Sequence, residues 1–312
     1  MSDQAKLSAW LAEHLGARHV EGVERLSGGA SRETYRFVAD GRPLVVQRQR
    51  PGGERSMPNE ADLVRLVARH GVPVAPIIAS GTDDTDAGFI VTELVLGETI
   101  ARRVLRDERY ERARSVLVGQ LGAVLGVLHG IDPGEATHLQ ALDQLATYRQ
   151  YVDELGIANP TFELAFRWLA ADRPSPSGRG IVHGDFRLGN FVIDELGLVA
   201  VLDWELSHVG DPMEDLGWLC SRAWRFGARA PVAGVGGYDE LFGAYEQASG
   251  IAVDSDVVQW WRVLATLKWG VMCVQQARIH LDGLTKSHEL AAIGRRVSQT
   301  EHDLLTELEA EW

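Results

Sequence analysis

Cysteine is nearly absent from this 312-residue chain: there are two, Cys220 and Cys273, each set in an apolar, helix-patterned stretch. A disulfide framework is excluded, and two buried thiols are expected rather than a metal or redox centre. Basic charge is also scarce, with 31 Lys and Arg against 44 Asp and Glu and a net charge of -13. A nucleic-acid footprint would show the opposite balance. Long apolar runs are missing too: the stretch from Val263 to Val274 is broken by Lys268 and Gly270, short of the span a bilayer requires. The opening Met1-Ser2-Asp3-Gln4 lacks the basic-then-apolar order of a secretory signal. Neither nucleic acid nor membrane is an expected partner, and a cytoplasmic location is expected.

What is present is a globular composition, 45% hydrophobic, enough for one large core or two modest ones. Leu7, Trp10, Leu11 and Leu15 share a helical face over residues 5 to 15, and Val20 to Phe37 and Pro43 to Gln49 read as short strands with glycine turns. Pro58 to His70 has helical spacing and stops at Gly71; Pro76 to Ala79 and Gly88 to Glu93 read as strands. From Ile100 onward long helical patterns take over, at 107–130, 140–156, 160–171, 211–225, 237–249, 256–282 and 286–311. Inside that helical part, Phe191 to Ile193 and Leu198 to Leu202 flank the turn Asp194-Glu195-Leu196-Gly197 as a hairpin. An α+β chain is expected, with residues 1–96 as sheet plus helix and 97–312 mainly helical.

The sharpest chemical signal is His183-Gly184-Asp185-Phe186-Arg187-Leu188-Gly189-Asn190, followed by the hairpin and then Asp203-Trp204-Glu205. It has the H-x-D-x-x-x-x-N spacing of a kinase catalytic loop. Phosphoryl transfer needs a carboxylate to orient and deprotonate the attacking hydroxyl, and oxygen ligands to hold Mg²⁺ at the phosphates. Asp185 fits the first task, with His183 and Arg187 as further candidate catalytic residues. Asn190 and Asp203 fit the metal task, because the hairpin can return Asp203 beside Asn190.

These residues, together with Leu26-Ser27-Gly28-Gly29-Ala30-Ser31, Asn59-Glu60, Gly71 to Pro76 and Gly210 to Leu216, resemble the aminoglycoside phosphotransferase and choline kinase superfamily over nearly the whole chain. The likeness is strongest to the branch found as a kinase-like domain fused to acyl-CoA dehydrogenases. The resemblance implies a two-lobed, protein-kinase-like fold, ATP and Mg²⁺ as cofactors, and a small-molecule hydroxyl acceptor. It implies that the hairpin at Ser27, Gly28, Gly29 and Ser31 covers the nucleotide, that Glu60 orients a phosphate-binding cation, and that Glu93 to Val95 forms the hinge meeting the adenine edge. The cation should lie in Leu44 to Arg48, where Gln47 occupies the family register with Arg48 beside it. Arg48, paired with Glu60, is the expected cation, which requires a shifted or bulged strand, because neighbours on a strand face opposite ways.

Trp218, Trp224, Trp260, Trp261 and Trp269 read mostly as core, while Glu301, Asp303, Glu307, Glu309 and Glu311 read as a solvated face of the last helix. The resemblance to the acyl-CoA-dehydrogenase-linked branch, with this apolar, Trp-rich setting, implies an acceptor of the hydroxyacyl thioester type ahead of an aminoglycoside or macrolide. A nucleotide-binding pseudokinase is the non-enzymatic alternative; the complete set Asp185, Asn190 and Asp203 speaks against it.

Overall fold

The computed structural model describes residues 3–28, 32–49, 56–83 and 86–309, and the chain divides into two compact units, Met1–Leu96 and Gly97–Trp312. The first unit contains α1 (Asp3–Leu15), β1 (Val20–Gly28), β2 (Arg32–Ala39), β3 (Arg42–Gln49), α2 (Met57–Arg69), β4 (Ile77–Thr82) and β5 (Gly88–Glu93). The strands form one antiparallel sheet in the order β1-β2-β3-β5-β4.

Strand alternation gives this sheet two working faces. Leu44, Val46, Phe89 and Val91 pack with Leu7 and Leu11 of α1, whereas Ile90 packs with Met57 and Ala61 of α2. The β2–β3 ladder runs one-to-one from Arg32 opposite Gln49 to Ala39 opposite Arg42, without a bulge. Gln47, opposite both Thr34 and Ile90 in its two ladders, therefore lies on the α2 face, and Arg48 on the α1 face. Ser56 caps α2 by accepting from the Asn59 amide at 3.3 Å, and the helix ends just before Gly71, whose φ of +91° suits glycine.

The second unit holds α3 (Ala101–Arg106), α4 (Glu111–His129), α5 (Gln144–Glu154), α6 (Pro160–Ala171), β6 (Gly180–Val182), β7 (Phe191–Ile193), β8 (Leu198–Val201), β9 (His208–Gly210), α7 (Met213–Cys220), α8 (Tyr238–Ser249), α9 (Ser255–Leu281), α10 (His288–Ile293) and α11 (Val297–Glu309). Its main core gathers Phe162, Leu169, Trp260, Val263, Leu267 and Leu304 around the long α9. Two small ribbons stand in this helical setting: β7 pairs with β8, and β6 with β9. The sequence pattern had no signal for β9. A three-residue strand leaves little periodicity to read. The pattern at 286–311 is two helices with a 3₁₀ turn at Gly294–Arg296 between them, and the pattern at 211–225 ends in a 3₁₀ turn after Cys220. No helix among the described residues is long and apolar enough to cross a membrane.

Candidate active site

The loop between β6 and β7 carries the motif, and its backbone is fixed from two sides. Asp215, fully buried at the start of α7, accepts from the His183 amide at 2.7 Å and the Gly184 amide at 2.9 Å, and pairs with His129 at 3.1 Å. Burial opposes its charge, yet the bonds from His129 and the loop hold its carboxyl below the ordinary carboxylate range. On the other side, the Lys268 ammonium of α9 donates to the Gly184 carbonyl at 3.0 Å and to Glu214 at 3.2 Å. Gly184 has a φ of +80°, and a Cβ there would stand 2.6 Å from the Leu206 carbonyl oxygen. Only glycine fits this position without moving backbone.

Lys268 belongs to a buried ionic chain. Glu214 also accepts from His208 at 3.0 Å. Burial alone would neutralise all three groups, but their mutual contacts hold His208 and Lys268 above their ordinary values and Glu214 below its own. The sequence offered one sign of this, a lysine interrupting the apolar run from Val263 to Val274.

The Asp185 carboxylate is held by three donors. Its Oδ1 accepts from Arg187 Nε at 2.8 Å and from Trp218 Nε1 at 2.9 Å, and its Oδ2 from Asn190 Nδ2 at 2.6 Å. The loop thus brings Asp185, Arg187 and Asn190 together. His183 points elsewhere: its Nδ1 accepts from the Asp185 amide at 3.2 Å, its Nε2 donates to the Leu202 carbonyl at 3.1 Å, and the ring lies against Trp204 and Phe186. Full burial pushes its pKa down, so the ring is neutral. In that placement His183 ties the loop to the segment leading into Asp203.

The hairpin closes beside the loop. Phe191 pairs with Val201, and the Leu202 amide donates to the Asn190 carbonyl at 2.8 Å, so the Asp203 backbone follows directly alongside Asn190. Asp203 itself has a φ of +62°, a conformation that costs a non-glycine residue and is concentrated at functional turns.

Beside Asp185 stands an aromatic group. Trp218 and Trp224 have ring centroids 5.2 Å apart, Trp269 lies 4.8 Å from Trp224, and the Arg187 guanidinium sits 4.4 Å over the Trp224 ring. Phe226 follows at a φ of +49° and 6.4 Å from Trp224.

The last helix departs from the solvated face expected of it. Asp303 and Glu307 are buried, Asp303 accepting from Arg222 at 3.3 Å, and Glu301 accepts from Asn159 at 2.7 Å. Glu307 Oε1 lies 3.5 Å from Arg262 Nε without a hydrogen bond, and burial pushes its carboxyl up to about 7. Between its ordinary value of 4.5 and about 7, Glu307 then binds more protons folded than unfolded, so stability falls as pH rises through that window. Glu307→Gln, which carries no charge, is expected to gain stability relative to the wild type across the same window, by up to about 3 kcal/mol at pH 8. Urea denaturation of both proteins at pH 5 and pH 8 checks this, and an unchanged difference contradicts it.

In the first unit the expected pairing of Arg48 with Glu60 is replaced by another. Arg48 donates to Asp83 at 2.7 Å and lies 4.5 Å over the Trp10 ring of α1. With no bulge in β3, strand alternation directs it away from α2. Glu60 instead takes both terminal nitrogens of Arg32, one at 2.8 Å. Arg32 was missed by sequence reasoning, although a charged residue opening a strand on the α2 face was a usable signal. Gln47 Oε1 stands 3.5 Å from Arg32. The Glu93 side chain pairs with Arg42 at the surface, at 2.8 Å, while the Glu93 and Leu94 amides donate to Pro76 and Pro43; Val95, just beyond, is half-buried. Ser27 and Gly28 pair through their backbones with Thr34 and Glu33, and Gly29 and Ser31 lie outside the described residues.

Comparison with known proteins is consistent with this geometry. Mouse acyl-CoA dehydrogenase family member 10 is 28% identical over 237 residues, covering 70% of this chain and 22% of that protein. The chain thus spans about a fifth of that relative's length. A crystal structure of a Ralstonia eutropha protein, assigned there as an aminoglycoside phosphotransferase, matches with a TM-score of 0.77 at 22% identity, over 99% of this chain and 98% of that one. Spectinomycin phosphotransferase, solved with ADP and spectinomycin, matches with a TM-score of 0.67 at 12% identity, over 97% and 98%. The α+β, protein-kinase-like fold class is borne out by these structures, and the resemblance read from the motifs by the relatives. The profile of the phosphotransferase enzyme family covers residues 22–252, and the chain belongs to that family.

Proposed function

We propose that the protein transfers the γ-phosphate of ATP to a hydroxyl of a small molecule, with Asp185 as the general base. The observation that carries this is the Asp185 carboxylate, immobilised by Arg187, Trp218 and Asn190 on a loop whose backbone Asp215 and Lys268 hold from both sides. Three fixed donors orient the carboxylate before any substrate arrives, which lowers the reorganisation needed in the transition state. Oδ1 accepts twice and Oδ2 once, so Oδ2 is the atom assigned to the acceptor hydroxyl and its proton. Arg187, beside Oδ1, places positive charge where negative charge gathers in the reaction. His183 is a positioning residue.

Asn190 and Asp203 fit Mg²⁺. Both supply hard oxygen donors, and the Asn190 nitrogen is committed to Asp185, leaving its oxygen as the ligand atom. Two protein oxygens suffice for Mg²⁺, which keeps several waters and takes its other ligands from substrate phosphates. Bound there, Mg²⁺ would neutralise charge on the transferring phosphate. Asp203→Ala is therefore expected to weaken ATP binding at least tenfold in the presence of Mg²⁺ and by less than threefold in EDTA, as roughly estimated for one charged metal ligand. Calorimetric titration reads both; equal losses contradict the assignment.

For the first unit, we assign the nucleotide to the sheet face that bears Gln47 and packs on α2, the helix carrying Glu60, with Ser27 to Ser31 at the phosphates and the segment Glu93 to Val95 at the adenine.

We assign the acceptor to the hydroxyacyl thioester class. The group next to Asp185 is aromatic and cationic, Trp218, Trp224, Trp269 and Arg187, and Asp303 of the last helix is paired with Arg222. A polycationic antibiotic needs carboxylates that are not matched in this way. An antibiotic acceptor is the second reading, supported by the acceptor named for the spectinomycin enzyme. Initial rates of ATP-dependent phosphorylation of hydroxyacyl-CoA thioesters, aminoglycosides and macrolides decide between them. A higher kcat/KM for an aminoglycoside or macrolide than for any thioester overturns this assignment.

A further inference from the structure

The first unit contains a buried cation placed on a strand other than the one expected. The Arg32 and Glu60 side chains are only 9% and 10% exposed and share two hydrogen bonds. Burying such a pair is costly in desolvation and, as a brace alone, gives little net stability over an apolar contact of the same size. Its location points to a ligand. Arg32 begins β2 opposite Gln49, and Thr34, two residues on and hence on the same face, is opposite Gln47. Gln47, the β3 residue facing α2, is neutral, and Arg48 is held on the other face by Asp83 and Trp10. An ATP site in a kinase-like fold uses a cation, oriented by a helix carboxylate, against the nucleotide phosphates. Arg32 is the cation that Glu60 orients here.

We propose that Arg32 contacts the nucleotide phosphates, so that the charge has moved from β3 to the adjacent β2, with Gln47 as its neutral neighbour. The inference rests on the phosphotransferase reading above. A guanidinium presents five N–H donors in one plane and can serve a carboxylate and a phosphate together, whereas a lysine in its place would do so as a point charge. Glu60 then has the role of orienting the fork.

Calorimetric titration with ATP and with adenosine, combined with thermal melting, tests the proposal on the full chain. Arg32→Ala is expected to weaken ATP roughly tenfold or more, with adenosine, which has no phosphate, changed less than threefold. Gln47→Lys added to Arg32→Ala should restore ATP affinity to within a few-fold of the wild type, by returning a cation to the same face from β3. Arg48→Ala should leave ATP affinity within a few-fold of the wild type. Arg32→Gln, closer in length, is measured in parallel so that the result does not depend on Arg32→Ala folding. If the Arg32 variants melt earlier but bind ATP normally, or lose ATP and adenosine equally, Arg32 is only a brace and the proposal is wrong. If the wild type binds neither ligand, the phosphotransferase reading falls as well. Binding of both by the wild type with no selective loss in the variants would overturn the Arg32 assignment alone.

Discussion

Asp185→Asn is expected to lower turnover by about 10²-fold or more while changing the affinity for metal-free ATP by less than threefold. The substitution keeps the side-chain volume and lets one oxygen go on accepting from Arg187 and Trp218. It removes the atom that takes the acceptor's proton, and it puts an N–H group where Oδ2 accepted from Asn190. That second effect turns the Asn190 amide, which is why nucleotide affinity should be compared without metal: with Mg²⁺ present, a rotated Asn190 would alter the metal site and confuse two causes. Steady-state rates with saturating ATP and acceptor, beside calorimetry in EDTA, give both numbers. Turnover within a few-fold of the wild type would sink the assignment of Asp185 as the base.

Asp215→Ala is expected to cost about 3–5 kcal/mol of stability, as for breaking a buried charged network. The change strips the acceptor from the His183 and Gly184 amides and from His129, all buried. An unmatched buried donor carries its full desolvation penalty, and three are created at once. Lys268 would still hold the Gly184 carbonyl, so the loop would be tethered on one side only, and turnover should fall with stability. The pH dependence has a definite sign. Because Asp215 is held below its ordinary value of 3.8, its contribution is complete above that value and is lost as pH falls through the folded pKa. Urea denaturation at pH 7 measures the loss; a change below about 1 kcal/mol would show that the loop does not depend on Asp215.

The parts of the site written within one short segment were legible in the sequence. Asp185, Arg187 and Asn190 lie in one loop, and the turn Asp194 to Gly197 shows that the chain reverses and returns Asp203 alongside Asn190. What was not legible depends on register or on distance along the chain. Whether Gln47 or Arg48 faces α2 is decided by an unbroken ladder to β2, and one residue of slip would have exchanged them. The pairing of Arg32 with Glu60 spans two elements, each with other partners to choose from. Lys268 meets Gly184 across 84 positions, and nothing local to either residue announces the other. His183 shows another limit: its place in the motif fits a catalytic role, but only the packing of Trp204 and Phe186 around the ring shows that it faces inward. The acidic residues of the last helix read as solvated because their spacing is regular, while Arg222 and Arg262, which meet Asp303 and Glu307, come from distant turns of the chain.

The central claim is that Asp185 and its loop move a phosphoryl group from ATP to a carbon-borne hydroxyl. Single-turnover incubation of the wild type and of Asp185→Asn with γ-labelled ATP, Mg²⁺ and a panel of hydroxyacyl-CoA thioesters and hydroxylated antibiotics measures this most directly. The predicted result is label on one acceptor with the wild type and about 10²-fold slower labelling with the variant. Label released only as inorganic phosphate, or transferred equally fast by both proteins, would contradict it.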